Sequence, residues 1–499
     1  MKIKRILCAF ACVLMTSLLV ASAAVAQQPA AGGRPALDPA TLTREQIAQT
    51  QVPEALFRLA TLYKQSGDSE RLEWTLLRLI ALRPNSGDLK LALATNYALQ
   101  GQSSKAYELL LALQKEGFGY DLSNNANFDK IANTKVWKYI VDGLKQNLQP
   151  FGKGKVAFAL PRGDHLYESL AFDPKRKQLL VGSVRDGTVS LVGKDGKLQE
   201  FIKPDAANGL WAVYALAADP ASDTLYVASN ASVYFKGFTQ ADFGKAGVFK
   251  FSLSTGKPTG KYLLSPDSKP RTLSSIAVGK DGLLFAADGV RNQIYRLDGE
   301  ALKLMIENPK LTSIRGLALS GDAKTLYFAD YTLGVFGVDL AAGQGFEFGY
   351  DTARLTLAGV DGLYWYDNNL VVIENGITPH RVMRLGLSDD GRKIVKAMPL
   401  DSGNAAFALP TYGAIDGDGL YFIANSQKNE YDSYGTPKDA AKLQAVQVFR
   451  SDLRFAWEEP GIDMRDRKPG PQIPPLLAAP KPSGLFGNVE GGAQSASAN

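Results

Sequence analysis

From about residue 155 onward, apolar and polar positions alternate with a period of two, the spacing of half-buried β-strands. The alternation comes in six bundles of short strands separated by turns. Their openings read Ser169-Leu-Ala-Phe-Asp-Pro, Ala215-Leu-Ala-Ala-Asp-Pro, Ser275-Ile-Ala-Val-Gly-Lys, Gly316-Leu-Ala-Leu-Ser-Gly, Gly362-Leu-Tyr-Trp-Tyr-Asp and Gly413-Ala-Ile-Asp-Gly-Asp. Successive starts lie 46, 60, 41, 46 and 51 residues apart. A sustained period of roughly 40–50 residues built from short strands predicts an all-β six-bladed β-propeller over 155–457. Val156-Ala-Phe-Ala-Leu160 precedes the first bundle and is the candidate strand to complete the last blade, which would protect an otherwise bare sheet edge.

Residues 44–146 switch to helical spacing, and a second repeat sits inside them. Leu59, Ala60, Tyr63, Gly67 and Leu76-Leu77 recur 34 residues later as Leu93, Ala94, Tyr97, Gly101 and Leu110-Leu111. That interval, in helix–turn–helix units, predicts an N-terminal all-α tetratricopeptide-like domain. A further helix carrying Phe128, Ile131, Val136, Trp137, Ile140 and Leu144 is expected to cap the stack. Two readings remain for this unit: a docking element for a protein or peptide partner, or structural support alone. Residues 147–154 are the linker.

The ends read differently. Lys2, Lys4 and Arg5, an apolar run from Ile6 to Val20, and Ala24-Val25-Ala26 make residues 1–26 an expected secretory signal peptide. Residues 27–43 are expected to be a flexible leader, and 459–499, rich in proline and then in Gly, Ala and Ser, a disordered tail. An exported and periplasmic location follows as an expectation, with no membrane span in the mature chain.

Composition sharpens this. Both cysteines, Cys8 and Cys12, belong to the expected signal, so the mature chain offers no disulfide, no thiol nucleophile and no thiolate metal site. Its formal charge falls from +6 to +3 when Lys2, Lys4 and Arg5 leave, and no basic run interleaves with aromatics, so no nucleic-acid partner is expected.

In each blade the residue entering the first strand and those leaving the second meet at one end of the ring. The entries are Glu168, Tyr214, Ser274, Arg315, Asp361 and Tyr412; the exits include Ser183, Asp186, Asn230, Asp288, Asp330, Asn375, Asn425 and Ser426. Exit residues of these types also form turns, and that reading stays beside the functional one. Glu168, Arg315 and Asp361 around one mouth would form a compact charge cluster, relieved either by a cation or by Arg315 forking onto a carboxylate. Two histidines exist: His165, near enough to Glu168 to serve as a general base or to be structural, and His380, placed at the surface.

On Tyr167-Glu168-Ser-Leu-Ala-Phe-Asp, Ile314-Arg315-Gly-Leu-Ala-Leu-Ser-Gly-Asp-Ala-Lys-Thr-Leu-Tyr-Phe-Ala-Asp330 and Val360-Asp361-Gly-Leu, the stretch 155–455 resembles the senescence-marker-protein/gluconolactonase family. The resemblance implies a divalent cation, Ca or Zn, held by Glu168 and Asp361, and hydrolysis of a small-molecule lactone or ester. It puts Arg315 where the family has a ligating Asn, and Ser274 near a family substrate Asn. Apart from the resemblance, position at the mouth makes Asn375, Asn425 and Tyr412 candidate substrate-binding residues, His165 a candidate proton shuttle and Arg315 a candidate oxyanion stabiliser. The rival expectation is a non-enzymatic binding or assembly protein.

Overall fold

The computed structural model describes residues 38–459 apart from 268, 280 and 281, together with the backbone of 462–463. The expected signal peptide, the leader up to residue 37 and nearly all of the expected tail lie outside the described residues.

Six four-strand motifs run antiparallel around a central channel. Their innermost strands are Tyr167–Asp173, Ala212–Asp219, Leu273–Val278, Ile314–Leu319, Val360–Tyr366 and Gly413–Asp416, which number the blades one to six. Second strands such as Thr224–Asn230 and Asn369–Glu374 are buried along their whole length, since blades cover both faces. Lys155–Leu160 pairs with Val446–Asp452, Leu160 opposite Val446, and completes blade six. The ring therefore closes by a strand taken from ahead of blade one.

Blade five is wider than four strands. Phe151–Gly152, within the expected linker, pairs with Asp401 and Ser402 on its outer strand. Ile462–Asp463, expected as disordered tail, pairs with Ala397 and Lys396 on the same strand. Both segments satisfy edge groups that water would otherwise have to cover.

The N-terminal region holds α1 (Arg44–Gln49), α2 (Pro53–Ser66), α3 (Ser69–Leu82), α4 (Gly87–Leu99), α5 (Ser103–Lys115) and α6 (Lys135–Asn147). Gly67 and Gly101, the paired glycines of the 34-residue interval, both sit at φ 74° just beyond α2 and α4, a left-handed position that favours glycine. Tyr63 and Tyr97 are buried with their hydroxyls satisfied, on Pro39 O at 2.6 Å and Glu73 Oε1 at 2.9 Å. The described part of the expected leader is tied down accordingly: Pro39–Thr41 forms a 3-10 turn and Leu42 packs on the helical core.

This helical region docks on the channel-mouth side of blades four and five. Asn85 Nδ2 donates to Leu333 O at 2.7 Å, Gly119 N donates to Thr378 O at 2.7 Å, and Ala358 and Ile377 join the helical core. Arg381 forms a buried ion pair with Glu374 and reaches Glu116 O and Thr356 O. Among the described residues no helix is long and apolar enough to cross a membrane.

Candidate functional site at the channel mouth

A β-bulge recurs at the same place in the innermost strands. The register slips between Tyr167 and Ser169, Val213 and Ala215, Leu273 and Ser275, Ile314 and Leu317, and Val360 and Gly362. In blade six Thr411 and Tyr412 together face Ile423. The positions lifted out of the ladders are thus Glu168, Tyr214, Ser274, Arg315 with Gly316, Asp361 and Tyr412. A bulge takes a residue out of pairing and re-aims its side chain, and six in a ring aim them at one axis.

Below the mouth the channel holds a cavity of about 250 Å3, walled by Leu170, Leu216, Ile276, Leu317, Leu363 and Ile415, with Tyr214, Ser274 and Tyr412 also on its lining. The charged cluster is therefore a lip over a shaft of mixed character, where aliphatic side chains alternate with hydroxyls and strand backbone.

Asp361 is 6% exposed. Its Oδ2 accepts from Thr411 Oγ1 at 2.6 Å and Asn375 Nδ2 at 3.0 Å, while its Oδ1 is buried with no hydrogen-bond partner. Arg315 Nε lies 3.9 Å from that oxygen and donates to Ser313 Oγ at 3.0 Å; the guanidinium sits over the Tyr331 ring at 5.3 Å. Burial opposes the Arg315 charge, but Asp361 with the hydroxyls of Tyr412 and Tyr331 outweighs it and raises its pKa. Its side chain remains 31% exposed because one side faces the open channel. The Tyr412 hydroxyl lies beside Arg315 but makes no aligned hydrogen bond.

Glu168, also 6% exposed, accepts from Ser426 Oγ at 2.5 Å. Burial pushes its pKa up; Lys428 is the strongest opposing charge, with Arg315 helping and Asp361 adding to the rise. Tyr214 donates to or accepts from Ser232 Oγ at 2.9 Å, and Ser274 Oγ makes a long 3.5 Å contact to Ile314 O.

Not every expected residue joins. His165 bonds Asp186 Oδ2 through Nδ1 at 2.6 Å and stacks on Tyr167, within an ion-pair network of Asp186, Lys236, Asp164 and Arg185. Leu166, at φ 44°, turns the chain between His165 and Glu168, so the two side chains part. Asn425 is spent on the backbone, donating to Ala445 O at 3.1 Å and accepting from Gln447 N at 2.6 Å. Asp288 and Asp330 accept from the backbone of their own turns, as turn formers do, and also from Thr272 N and Thr312 N ahead of the innermost strands of their blades. Asn375 does belong, bridging Asp361 to Tyr331, whose hydroxyl donates to Asn375 Oδ1 at 2.8 Å.

Sequence reasoning missed Lys428 and Thr411 as site residues, whereas Tyr331 is an exit position of the fourth blade that the repeat alignment already puts at the mouth. Thr411 adjoins an entry position, so its placement was within reach. Lys428 sits in the blade-six insertion, whose path is set by packing on blade two: Tyr431 meets Tyr234 edge-on at 6.4 Å and is buried with Leu443 and Ala212.

The residues present do not fit the divalent cation that the resemblance implies. Asp361 Oδ2 already takes two donors, Oδ1 faces a guanidinium, and Lys428 supplies a second positive charge beside Glu168. Among the described residues no group of three or more His, Cys, Asp or Glu could hold a metal ion. An oxygen-loving cation needs a larger, uncontested oxygen set.

No family model and no curated protein matches the chain. Solved structures similar to it include a gluconolactonase from Xanthomonas campestris, 13% identical over 62% of this chain and 92% of that one, at TM-score 0.40. Others are a PQQ-bound aldose sugar dehydrogenase from Streptomyces coelicolor (17%, 61% and 99%, TM-score 0.39) and a virginiamycin B lyase from Staphylococcus aureus (16%, 61% and 100%, TM-score 0.39). At these values the likeness concerns the propeller fold and carries nothing about activity.

Proposed function

We propose that the channel mouth is the active site of an exported ester or lactone hydrolase that works without a resident metal. The observation that supports this reading is the bulge ring, which puts a buried carboxyl of raised pKa (Glu168) into one cluster with a permanently charged guanidinium (Arg315). A carbonyl entering the mouth would meet Arg315 and the Tyr412 hydroxyl, both with hydrogen-bonding capacity to spare, where negative charge develops during acyl transfer. Glu168, held by Ser426, would take the proton of an attacking water, a task suited to a carboxyl whose pKa burial has raised. Asp361, fixed by Thr411 and Asn375, would keep Arg315 in place rather than react.

The test is a panel of lactones and aryl esters assayed in excess EDTA. Turnover that survives EDTA and falls about 10²-fold or more in Arg315→Met supports the reading, a loss typical of removing one oxyanion donor. Turnover abolished by EDTA and restored by Ca2+ or Zn2+ would overturn it.

One observation favours a second reading, a binding or assembly protein. On α6, Val136 and Tyr139 are 48% and 68% exposed and three residues apart, an apolar pair on the helical surface. Inactivity across the whole panel, together with capture of a periplasmic protein that Tyr139→Ala loses, would favour it.

A further inference from the structure

Two cations at the mouth carry more donors than the protein itself uses. Lys428 Nζ has no hydrogen bond and no ion pair within 4 Å among the described residues. Its backbone N donates to Ser426 Oγ, the hydroxyl that holds Glu168, so the residue stands beside the same cluster, and its charge acts on Glu168. Arg315 uses Nε on Ser313, and its two terminal nitrogens make no aligned hydrogen bond among the described residues. The Tyr412 hydroxyl lies beside Arg315 without an aligned hydrogen bond of its own. Buried or half-buried donors are as a rule satisfied, and a group of them left open around one space marks where an acceptor belongs.

We infer that the mouth recognises the carboxylate of a small organic acid or of a substrate that carries one, gripped between Arg315 and Lys428. This rests on the hydrolase reading above and narrows its substrate class. The geometry favours a planar monoanion. Arg315 offers a fork that matches a carboxylate's two oxygens. The lip already holds two carboxyls against two cations, so a single added charge is tolerated better than the double charge of phosphate. Burial and the neighbouring Arg315 lower the pKa of Lys428, a strain that an anion between them would relieve. Below the lip, the shaft of about 250 Å3, walled by aliphatic side chains and hydroxyls, has room for the body of such an acid.

The insertion that carries Lys428 is built to hold it there. Lys428 N donates to Ser426 Oγ at 3.3 Å, and the same hydroxyl holds Glu168. Asn425 closes the foot of the insertion, and Tyr431 anchors its middle against blade two. Lys428 is thus the residue through which the last blade contributes charge to the mouth.

The experiment uses benzoate and its neutral isostere benzamide as probes of the full chain, by ligand-observed NMR, with inorganic phosphate as competitor. Benzoate should bind at least tenfold more tightly than benzamide, the size of one charge-assisted contact. Lys428→Met should lose about that factor and Lys428→Arg should keep it, with folding checked by circular dichroism; Lys428→Gln replaces the Met variant if that one unfolds. Equal binding of the two probes, no binding of either, or affinity unchanged in Lys428→Met would overturn the inference. Phosphate displacing benzoate at lower concentration than benzoate itself would also overturn the choice of carboxylate. Failure of the parent reading looks different: benzoate binds as stated while no ester or lactone is turned over. Conversely, hydrolysis of neutral lactones with no preference for benzoate removes this inference and leaves the hydrolase.

Discussion

Ser426 of blade six donates its hydroxyl to Glu168 of blade one at 2.5 Å, across 258 residues of chain. The contact exists only because the ring closes, and it makes the site a product of closure rather than of any one blade. Glu168 is also where function and stability pull apart. Its folded pKa lies above the unfolded value near 4.5, so its ionisation opposes folding. The associated stability is complete below about pH 4.5 and is lost as pH rises through the folded pKa. Glu168→Gln should therefore unfold at higher denaturant than the parent at pH 7.5, with the gap closing at pH 4. In the same variant ester hydrolysis should fall about 10²–10⁴-fold. Urea titrations at both pH values and one assay check it; a variant less stable at pH 7.5 contradicts the argument.

Asp401 offers a cleaner titration, away from the mouth. Burial drives its pKa up to about 6, against hydrogen bonds from Ser451 Oγ and Gly154 N. An acid with a raised folded pKa binds more protons folded than unfolded, so stability should decline between about pH 4 and pH 6 and then level. Asp401→Asn keeps an acceptor for Gly154 and removes the charge. It should gain about 2–3 kcal/mol at pH 7.5, from ~1.4 kcal/mol per pKa unit, and nothing at pH 4. Guanidinium unfolding of both proteins at the two pH values measures the difference directly.

The propeller was legible because its signal is redundant: six apolar openings at a sustained interval and a spare strand, Val156–Leu160, with one place to go. The entry residues were legible for the same reason, since repeats align them. The bulge that turns those residues inward was not, because no one side-chain type runs through Glu168, Tyr214, Ser274, Arg315, Asp361 and Tyr412 and the register slip is a backbone event. His165, open to a catalytic or a structural reading, stands three residues from Glu168, but Leu166 in a left-handed conformation sends its imidazole to Asp186. Lys428 was hidden because an insertion's course depends on what it packs against, here Tyr234 and Ala212 from another blade.

The closing strand should be the weak link of the ring. Most of Lys155–Leu160 is exposed, and Leu160, 1% exposed, is its buried anchor among Val446, Val448 and Tyr167. Leu160→Ala should cost about 2–5 kcal/mol, the range for emptying a buried leucine site. Because the loss frees the last blade, amide exchange should quicken first in Val446–Asp452 and in the Ser426 insertion, before blades three and four. Uniform acceleration across all blades would show that closure is not the limiting contact.

The seam between the helical region and the propeller turns on Arg381. It is buried, pairs with fully buried Glu374, and spends its remaining donors on Thr356 O and Glu116 O, one from each side of the seam. Burial raises the pKa of Glu374, and Arg381 is the charge that opposes the rise. Arg381→Met removes that charge and strands the carboxylate, which should cost about 3–5 kcal/mol. Arg381→Met with Glu374→Gln removes both charges and should recover much of the loss, because an uncharged pair leaves no buried ion. The seam also lies next to the lip: Glu374 precedes Asn375, which holds Asp361. If docking helps to set the lip, the single variant should lower kcat for ester hydrolysis and the double variant should restore it. Unfolding curves and kcat measured on the same three proteins decide both halves; a double variant no more stable than Arg381→Met would show that the pair is held by packing and not by charge.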